Sequence, residues 1–268
     1  MFYNLVEKKI TVKSGDMDYV AFGKGQKNLI IIPGLSVRDV KGAGVSLALM
    51  YKIFAKDYRV YFMGRPHNVN EGLTIWELAD DISCAMEELS IEKADVYGVS
   101  QGGMIGLALA LNHPEKVSKL VLGVTCSRPN ETLKNAVGGW IKYAEEKNHV
   151  AINKETFSLM YTEKYLNKYK LLMPLLVKMA KPASFERFVI LASSILSFDC
   201  YDRLKEIKCP VLVLGADQDK ITTEKGAREI AEKLNCEFYI YSGYGHAAFE
   251  EAPDFTERIC KFLALGQM

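Results

Sequence analysis

The chain has 268 residues, 49% apolar and 25% charged, a balance that excludes a fibre or a disordered tail and provides for one large core or two modest ones. Thirty-four Lys and Arg face 33 Asp and Glu, so the net charge of +1 supplies no long-range field for nucleic acid or an anionic membrane, and a partner must be selected by a pocket. The longest apolar runs, 29–32 and 171–180, are far too short to span a bilayer, and residues 1–10 show neither a basic start nor a small-residue cleavage site, so a cytoplasmic location is expected.

Two apolar alternations, 3–12 and 18–22, flank Lys13-Ser-Gly-Asp16 and read as an opening antiparallel pair of strands. The runs 28–33, 58–63, 93–98, 117–122, 210–215 and 237–241 are short and rich in β-branched and aromatic residues, as expected of strands covered on both faces. Helical periods at 44–55, 74–89, 101–112, 223–234 and 248–265 lie between or after them, and Thr74-Ile-Trp-Glu77 has the spacing of a capping box. This alternation predicts an α/β fold, an eight-stranded, mostly parallel sheet with helices on both faces. It breaks at about 127–201, where helical patterns at 133–147, 154–169, 171–180 and 185–196 run without strand texture. Strands then resume, so the break reads as a helical cap over residues 127–200 inserted into one core built from 1–126 and 201–268.

The six cysteines are scattered, without a C-x-x-C pair or a histidine at metal-ligand spacing, and read as free thiols; no metal and no other cofactor is expected. Chemistry concentrates elsewhere. Gly98-Val-Ser100-Gln-Gly102 lies where a strand pattern ends and a helical one begins. A tight strand-to-helix turn holds a serine hydroxyl exposed and aims a helix N-terminus at a developing oxyanion, with glycines where a Cβ has no room. The bland reading is a glycine-rich helix start packed on the sheet. Of four histidines, His113 reads as a helix end and His149 as a solvated face, while His67 follows a central strand on the side where a substrate could be touched. His246, in the glycine-rich loop after the last strand, is the candidate base. Asp217 and Asp219 both follow a strand end; Asp219 is preferred as the carboxylate that orients the imidazole, because Asp217 is closer to the strand and suited to bonding the turn. The order serine, aspartate, histidine is that of one of the three known triad topologies. Oxyanion donors are expected from the backbone amides of Gln101 and, after Pro33-Gly34, of Leu35.

With these residues in view the chain resembles the α/β-hydrolase superfamily, in its lidded, esterase-like branch. The resemblance runs over nearly the whole chain and rests on Gly98-Val-Ser100-Gln-Gly102-Gly103, Gly215-Ala-Asp-Gln-Asp219-Lys-Ile-Thr222 and Gly245-His246-Ala-Ala-Phe-Glu-Glu-Ala-Pro253. Pro33-Gly34 departs from the His-Gly common in that family, and serine at the elbow separates the chain from the dehalogenase and epoxide hydrolase branches, which use aspartate. The resemblance implies a cap between the sixth and seventh strands that shapes the pocket. The cap is aromatic and methionine-rich; most such residues are expected in its own core, with Trp140, Tyr161 and Phe188 the candidates for touching substrate. From Arg128 to Asp199 there are 11 basic and 7 acidic residues, read as solvated lysine faces. The resulting expectation is a cofactor-free serine hydrolase, monomeric or homodimeric, cleaving an ester or related acyl bond (thioester, lactone, C–C) of a small, partly apolar substrate. The alternatives are a perhydrolase or haloperoxidase-like activity with the same triad, and a non-catalytic receptor that keeps the pocket.

Overall fold

A computed structural model describes residues 3–265. Its strands are β1 Val6–Val12, β2 Gly15–Phe22, β3 Lys27–Ile32, β4 Tyr58–Pro66, β5 Ala94–Val99, β6 Val117–Gly123, β7 Val211–Ala216 and β8 Glu237–Tyr241. They form one sheet in the order β1-β2-β4-β3-β5-β6-β7-β8, with β2 antiparallel to both neighbours and every later pairing parallel. Because side chains alternate along a strand, the unbroken apolar runs feed two cores at once. In β3, Ile30 and Ile32 enter one core and Leu29 and Ile31 the other, all four fully buried. Each such side chain contributes roughly 1.5–3 kcal/mol by leaving water.

Outside the segment between β6 and β7, the helices are α1 Gly44–Met50, α2 Ile75–Glu88 and α3 Gln101–Asn112, then, after β7, α9 Thr223–Leu234, α10 Ala248–Glu251 and α11 Phe255–Ala264. Helices α2, α3 and α9 cover one face, and α1 and α11 the other. The box at Thr74 is formed: its hydroxyl accepts from Glu77 N while Glu77 returns a carboxylate oxygen to Thr74 N. Three predicted helices are interrupted. The 44–55 pattern stops at Met50 and finishes as a 3₁₀ turn over Lys52–Phe54. The 248–265 pattern breaks before Pro253, which holds Ala252 extended at φ −83°, ψ 122°. Strand β4 runs three residues beyond the predicted end because Pro66 still pairs with Met17.

Between β6 and β7 lies a helical insertion: α4 Glu131–Glu145, α5 His149–Met160, α6 Glu163–Lys168, α7 Met173–Met179 and α8 Phe185–Leu196. The 154–169 pattern divides at Tyr161, extended at φ −100°, ψ 151°, after which the Thr162 hydroxyl caps α6 by accepting from Tyr165 N. The insertion is not a loosely tethered flap. Leu133, Val137 and Trp140 of α4 and Phe188, Leu191 and Ile195 of α8 share one continuous core with Met104 and Ile105 of α3. The six cysteines carry no disulfide, and Cys126 and Cys200 are buried. Among the described residues no helix is long and apolar enough to cross a membrane.

Candidate active site

Parallel strands end on a common edge, and the loops leaving β5, β7 and β8 bring three separated stretches of chain there. The first holds Ser100 at φ 53°, ψ −120°, a backbone conformation that residues with a Cβ rarely adopt. The turn is this tight because α3 doubles back over the strands. A Cβ on Gly98 would collide with the Gly102 carbonyl, and one on Gly102 with the Ile32 carbonyl. Hydrogen bonds clamp the serine backbone: its N–H donates to Gly123 O at 2.9 Å, and its carbonyl accepts from Gly103 N at 2.8 Å and Thr125 Oγ1 at 2.7 Å. The side chain remains partly exposed, with Gly34 packed against it.

The second loop supplies Asp219. Its Oδ1 accepts from the backbone N–H groups of Ile221 and Thr222 at 2.7 and 3.1 Å, and its Oδ2 lies 2.9 Å from His246 Nδ1. Both side chains are all but sealed from solvent, at 1% and 4% exposure. Burial by itself would raise the Asp219 carboxyl, but His246, the Thr222 hydroxyl and the Ile221 amide together outweigh it and hold the group below the ordinary aspartate value. Asp217 points elsewhere, accepting from Ser242 Oγ and Gly243 N at 2.8 Å each, and so ties the turn after β8.

The third loop, carrying His246, is pressed against the end of α5. Ala247 N donates to Met160 O at 2.9 Å, and a Cβ on Gly245 would stand 2.7 Å from that same oxygen. With Nδ1 donating to a carboxylate, the neutral ring presents Nε2 as an acceptor. Val124 and Thr125, just past β6, join the serine turn to the acid loop: Thr125 Oγ1 donates to Ser100 O, and Thr222 Oγ1 lies 3.0 Å from Val124 O. Val124 at φ 43° and Thr223 at φ 67° join Ser100 among the left-handed residues, so backbone strain gathers on this edge. Among the described residues no group of three or more His, Cys, Asp or Glu side chains is placed to hold a metal ion.

A cavity of about 230 Å³ opens beside the elbow, bounded by the loop after β3, by α1 and by α8. Leu35 and Gln101 line it. None of the four residues expected to touch substrate, His67, Trp140, Tyr161 and Phe188, lines this cavity. His67 Nε2 pairs with Asp18 Oδ2 at 2.9 Å, because β4 runs on to Pro66 and carries the ring over β2. Trp140 and Phe188 are consumed in the core joining α4 and α8 to the sheet, and the Tyr161 hydroxyl donates to Glu250 Oε2 at 2.7 Å, fastening the end of α5 to α10. Three arginines with no place in the sequence reading line the cavity instead, Arg38 in the loop after β3, Arg65 at the end of β4 and Arg187 in α8. Burial, with Arg187 adding like charge, pushes the Arg65 guanidinium down to about 9. A cation closing an otherwise buried strand is the signal that marks Arg65 in the sequence. The Gln101 side chain donates to Leu191 O at 2.7 Å, binding the start of α3 to α8.

A doubly covered parallel sheet with a serine turn, an acid loop and a histidine loop on one edge defines a class of hydrolytic enzyme folds. The chain belongs to the α/β-hydrolase family: residues 36–253 match the model of the alpha/beta hydrolase fold. It is 30% identical over 195 residues, 71% of this chain and 73% of its counterpart, to a protein of Caulobacter sp. (strain K31) named "Putative carbamate hydrolase RutD". It is 28% identical over 272 residues, 90% of this chain and 88% of the other, to the 2-hydroxy-6-oxononadienedioate/2-hydroxy-6-oxononatrienedioate hydrolase of Paraburkholderia phymatum. The crystal structure of the enol-lactonase from Burkholderia xenovorans LB400 superposes with a TM-score of 0.83 at 21% identity, covering 96% of this chain and all of that one, a likeness of fold.

Proposed function

We propose that the protein is a serine hydrolase that cleaves an ester or related acyl bond of a small substrate through an acyl-enzyme, with residues 127–200 as its cap. Ser100 Oγ attacks the carbonyl carbon and passes its proton to His246 Nε2; Asp219 holds the ring in the tautomer that accepts it and offsets the imidazolium charge. The amides of Leu35, in the loop after β3, and of Gln101, the first residue of α3, receive the oxyanion. Collapse expels the leaving group, which takes the proton from Nε2, and a water activated by the same nitrogen releases the acid and restores the serine. The single observation supporting this reading most directly is the sealed Asp219–His246 pair, 2.9 Å apart, on the edge that carries the Ser100 turn. Relatives named for a carbamate and for a hydroxy-oxo-dienedioate widen the range of scissile bonds without selecting one.

The test is a panel of p-nitrophenyl esters of graded chain length, run on wild type and Ser100→Ala, with a fluorophosphonate label mapped by peptide mass. Turnover abolished by Ser100→Ala and a label on Ser100 are expected. Ligand-dependent thermal shifts without turnover of any ester would replace this reading with that of a receptor.

A further inference from the structure

We propose that the cavity beside the elbow is an anion subsite, and that the natural substrate carries a carboxylate held there by Arg65 and Arg187, with Arg38 at the mouth. The inference deepens the serine-hydrolase reading and rests on it. Its basis is an imbalance of charge. Arg65 is 8% exposed, and its hydrogen bonds all go to neutral oxygens: Gly64 O at 2.9 Å, Pro33 O at 2.6 Å and Gln101 Oε1 at 3.5 Å. Its Nε is buried without a partner. Among the described residues no carboxylate lies within ion-pair distance of Arg65 or Arg38. Arg187 has one, Asp39 Oδ1 at 2.8 Å, and also donates to Pro66 O and Arg65 O. Three guanidiniums therefore border one small cavity against a single carboxylate, in a chain whose overall charge is +1.

A buried cation with only neutral partners is costly, and a second guanidinium beside it adds to the cost. Bracing the loop after β3 requires only a neutral donor to Pro33 O. A bound anion turns the imbalance to use, since planar guanidiniums meet carboxylate oxygens in matched pairs of hydrogen bonds. The position is productive as well. Arg65 holds the carbonyl of Pro33, the next residue packs on Ser100, and Leu35 and Gln101 line the same cavity. A carboxylate anchored here leaves the rest of a short acyl chain at the elbow. The small volume under α8 is of the size of a small organic acid.

The experiment compares esters matched in chain length: mono-p-nitrophenyl adipate against p-nitrophenyl hexanoate, and mono-p-nitrophenyl glutarate against p-nitrophenyl pentanoate, at pH 7.5 and low salt. Wild type is expected to favour the carboxylate-bearing ester of each pair at least tenfold in kcat/KM, through KM. Arg187→Gln and Arg38→Gln should each lower that ratio, Arg187→Gln at least tenfold. Arg65→Lys, which keeps the charge, should lower it less than Arg65→Gln; should Arg65→Gln fail to fold, the other two variants carry the test. Equal losses on both members of a pair would make the arginines mere braces and overturn the subsite. Binding is read separately as the thermal shift that glutarate causes in Ser100→Ala, expected to disappear in Ser100→Ala/Arg187→Gln; no shift overturns the subsite. Labelling of Ser100 with a preference for neutral esters would sink the subsite alone, whereas an unlabelled Ser100 with no turnover would sink the hydrolase reading, the glutarate shift still judging the subsite.

Discussion

Thr222 Oγ1 stands 2.7 Å from Asp219 Oδ2, the oxygen that also meets His246 Nδ1, and 3.0 Å from the carbonyl of Val124. One hydroxyl thus joins the acid loop to the strand end beside the serine turn. A hydrogen bond to a charged group is worth about 1.5–3 kcal/mol. Thr222→Val, which keeps the shape, should lower kcat/KM by about ten- to a hundredfold, while Thr222→Ser stays within about threefold of wild type. Steady-state kinetics on one p-nitrophenyl ester, with melting curves to confirm folding, checks both.

The two aspartates of the acid loop offer a sharper contrast. Asp219→Asn keeps the size of the side chain but presents an amide to His246, favouring the tautomer with its proton on the wrong nitrogen. The expected loss in kcat is roughly 10³–10⁴-fold. Asp217 serves only the Ser242–Gly243 turn, so Asp217→Asn should cost less than about fivefold, with a small drop in melting temperature. The reverse ranking in kcat would remove Asp219 from its assigned place.

Glycines near the elbow separate folding from chemistry. A Cβ on Gly34 would stand 3.2 Å from Ser100 Cβ and 3.8 Å from its Oγ, tight but not impossible. Gly34→Ala should therefore fold, yet displace the hydroxyl and lower kcat/KM by roughly ten- to a hundredfold. At Gly102 the added carbon meets the backbone carbonyls of Ile32 and Pro33, which cannot move without parting α3 from β3. Gly102→Ala should be found in the insoluble fraction. Circular dichroism of Gly34→Ala beside expression yields for Gly102→Ala distinguishes the two.

What was legible in the sequence follows from how local its causes are. The 101–112, 185–196 and 223–234 helices and the 237–241 strand read correctly to the residue, because their period and their neighbours are encoded within a dozen positions. Pro253 is an equally local signal, and it ends the helical pattern there. The elbow serine, the paired aspartate and the loop histidine sit just beyond strand ends, so the sequence could nominate them before any distance was known. The cavity could not be found this way. Arg65 and Arg187 lie 122 residues apart, on a strand and on the cap, and nothing in either neighbourhood says that a carboxylate will be missing between them. The burial of Trp140 and Phe188 is illegible for a related reason: aromatic residues at helical spacing look the same whether they line a cleft or fill a core, and packing alone decides.

The acid loop also makes a prediction for stability. In the folded protein the Asp219 carboxyl lies below its ordinary value of 3.8, because the pull of His246, Thr222 and the Ile221 amide exceeds the opposing effect of burial. In the unfolded chain that value returns, so through the interval between the two the unfolded state binds the extra proton. The stabilisation from this group is therefore fully present above about pH 4 and is lost as pH falls through the folded value. Asp219→Asn lacks the titrating group, so its melting temperature should fall less steeply than that of wild type below about pH 4. Asp217→Asn should keep the wild-type slope, because its loss leaves the buried pair intact. Melting curves at half-unit intervals from pH 3 to 7 decide the matter: parallel acid limbs for wild type and Asp219→Asn would mean that the His246 contact does not hold the carboxylate in its charged form.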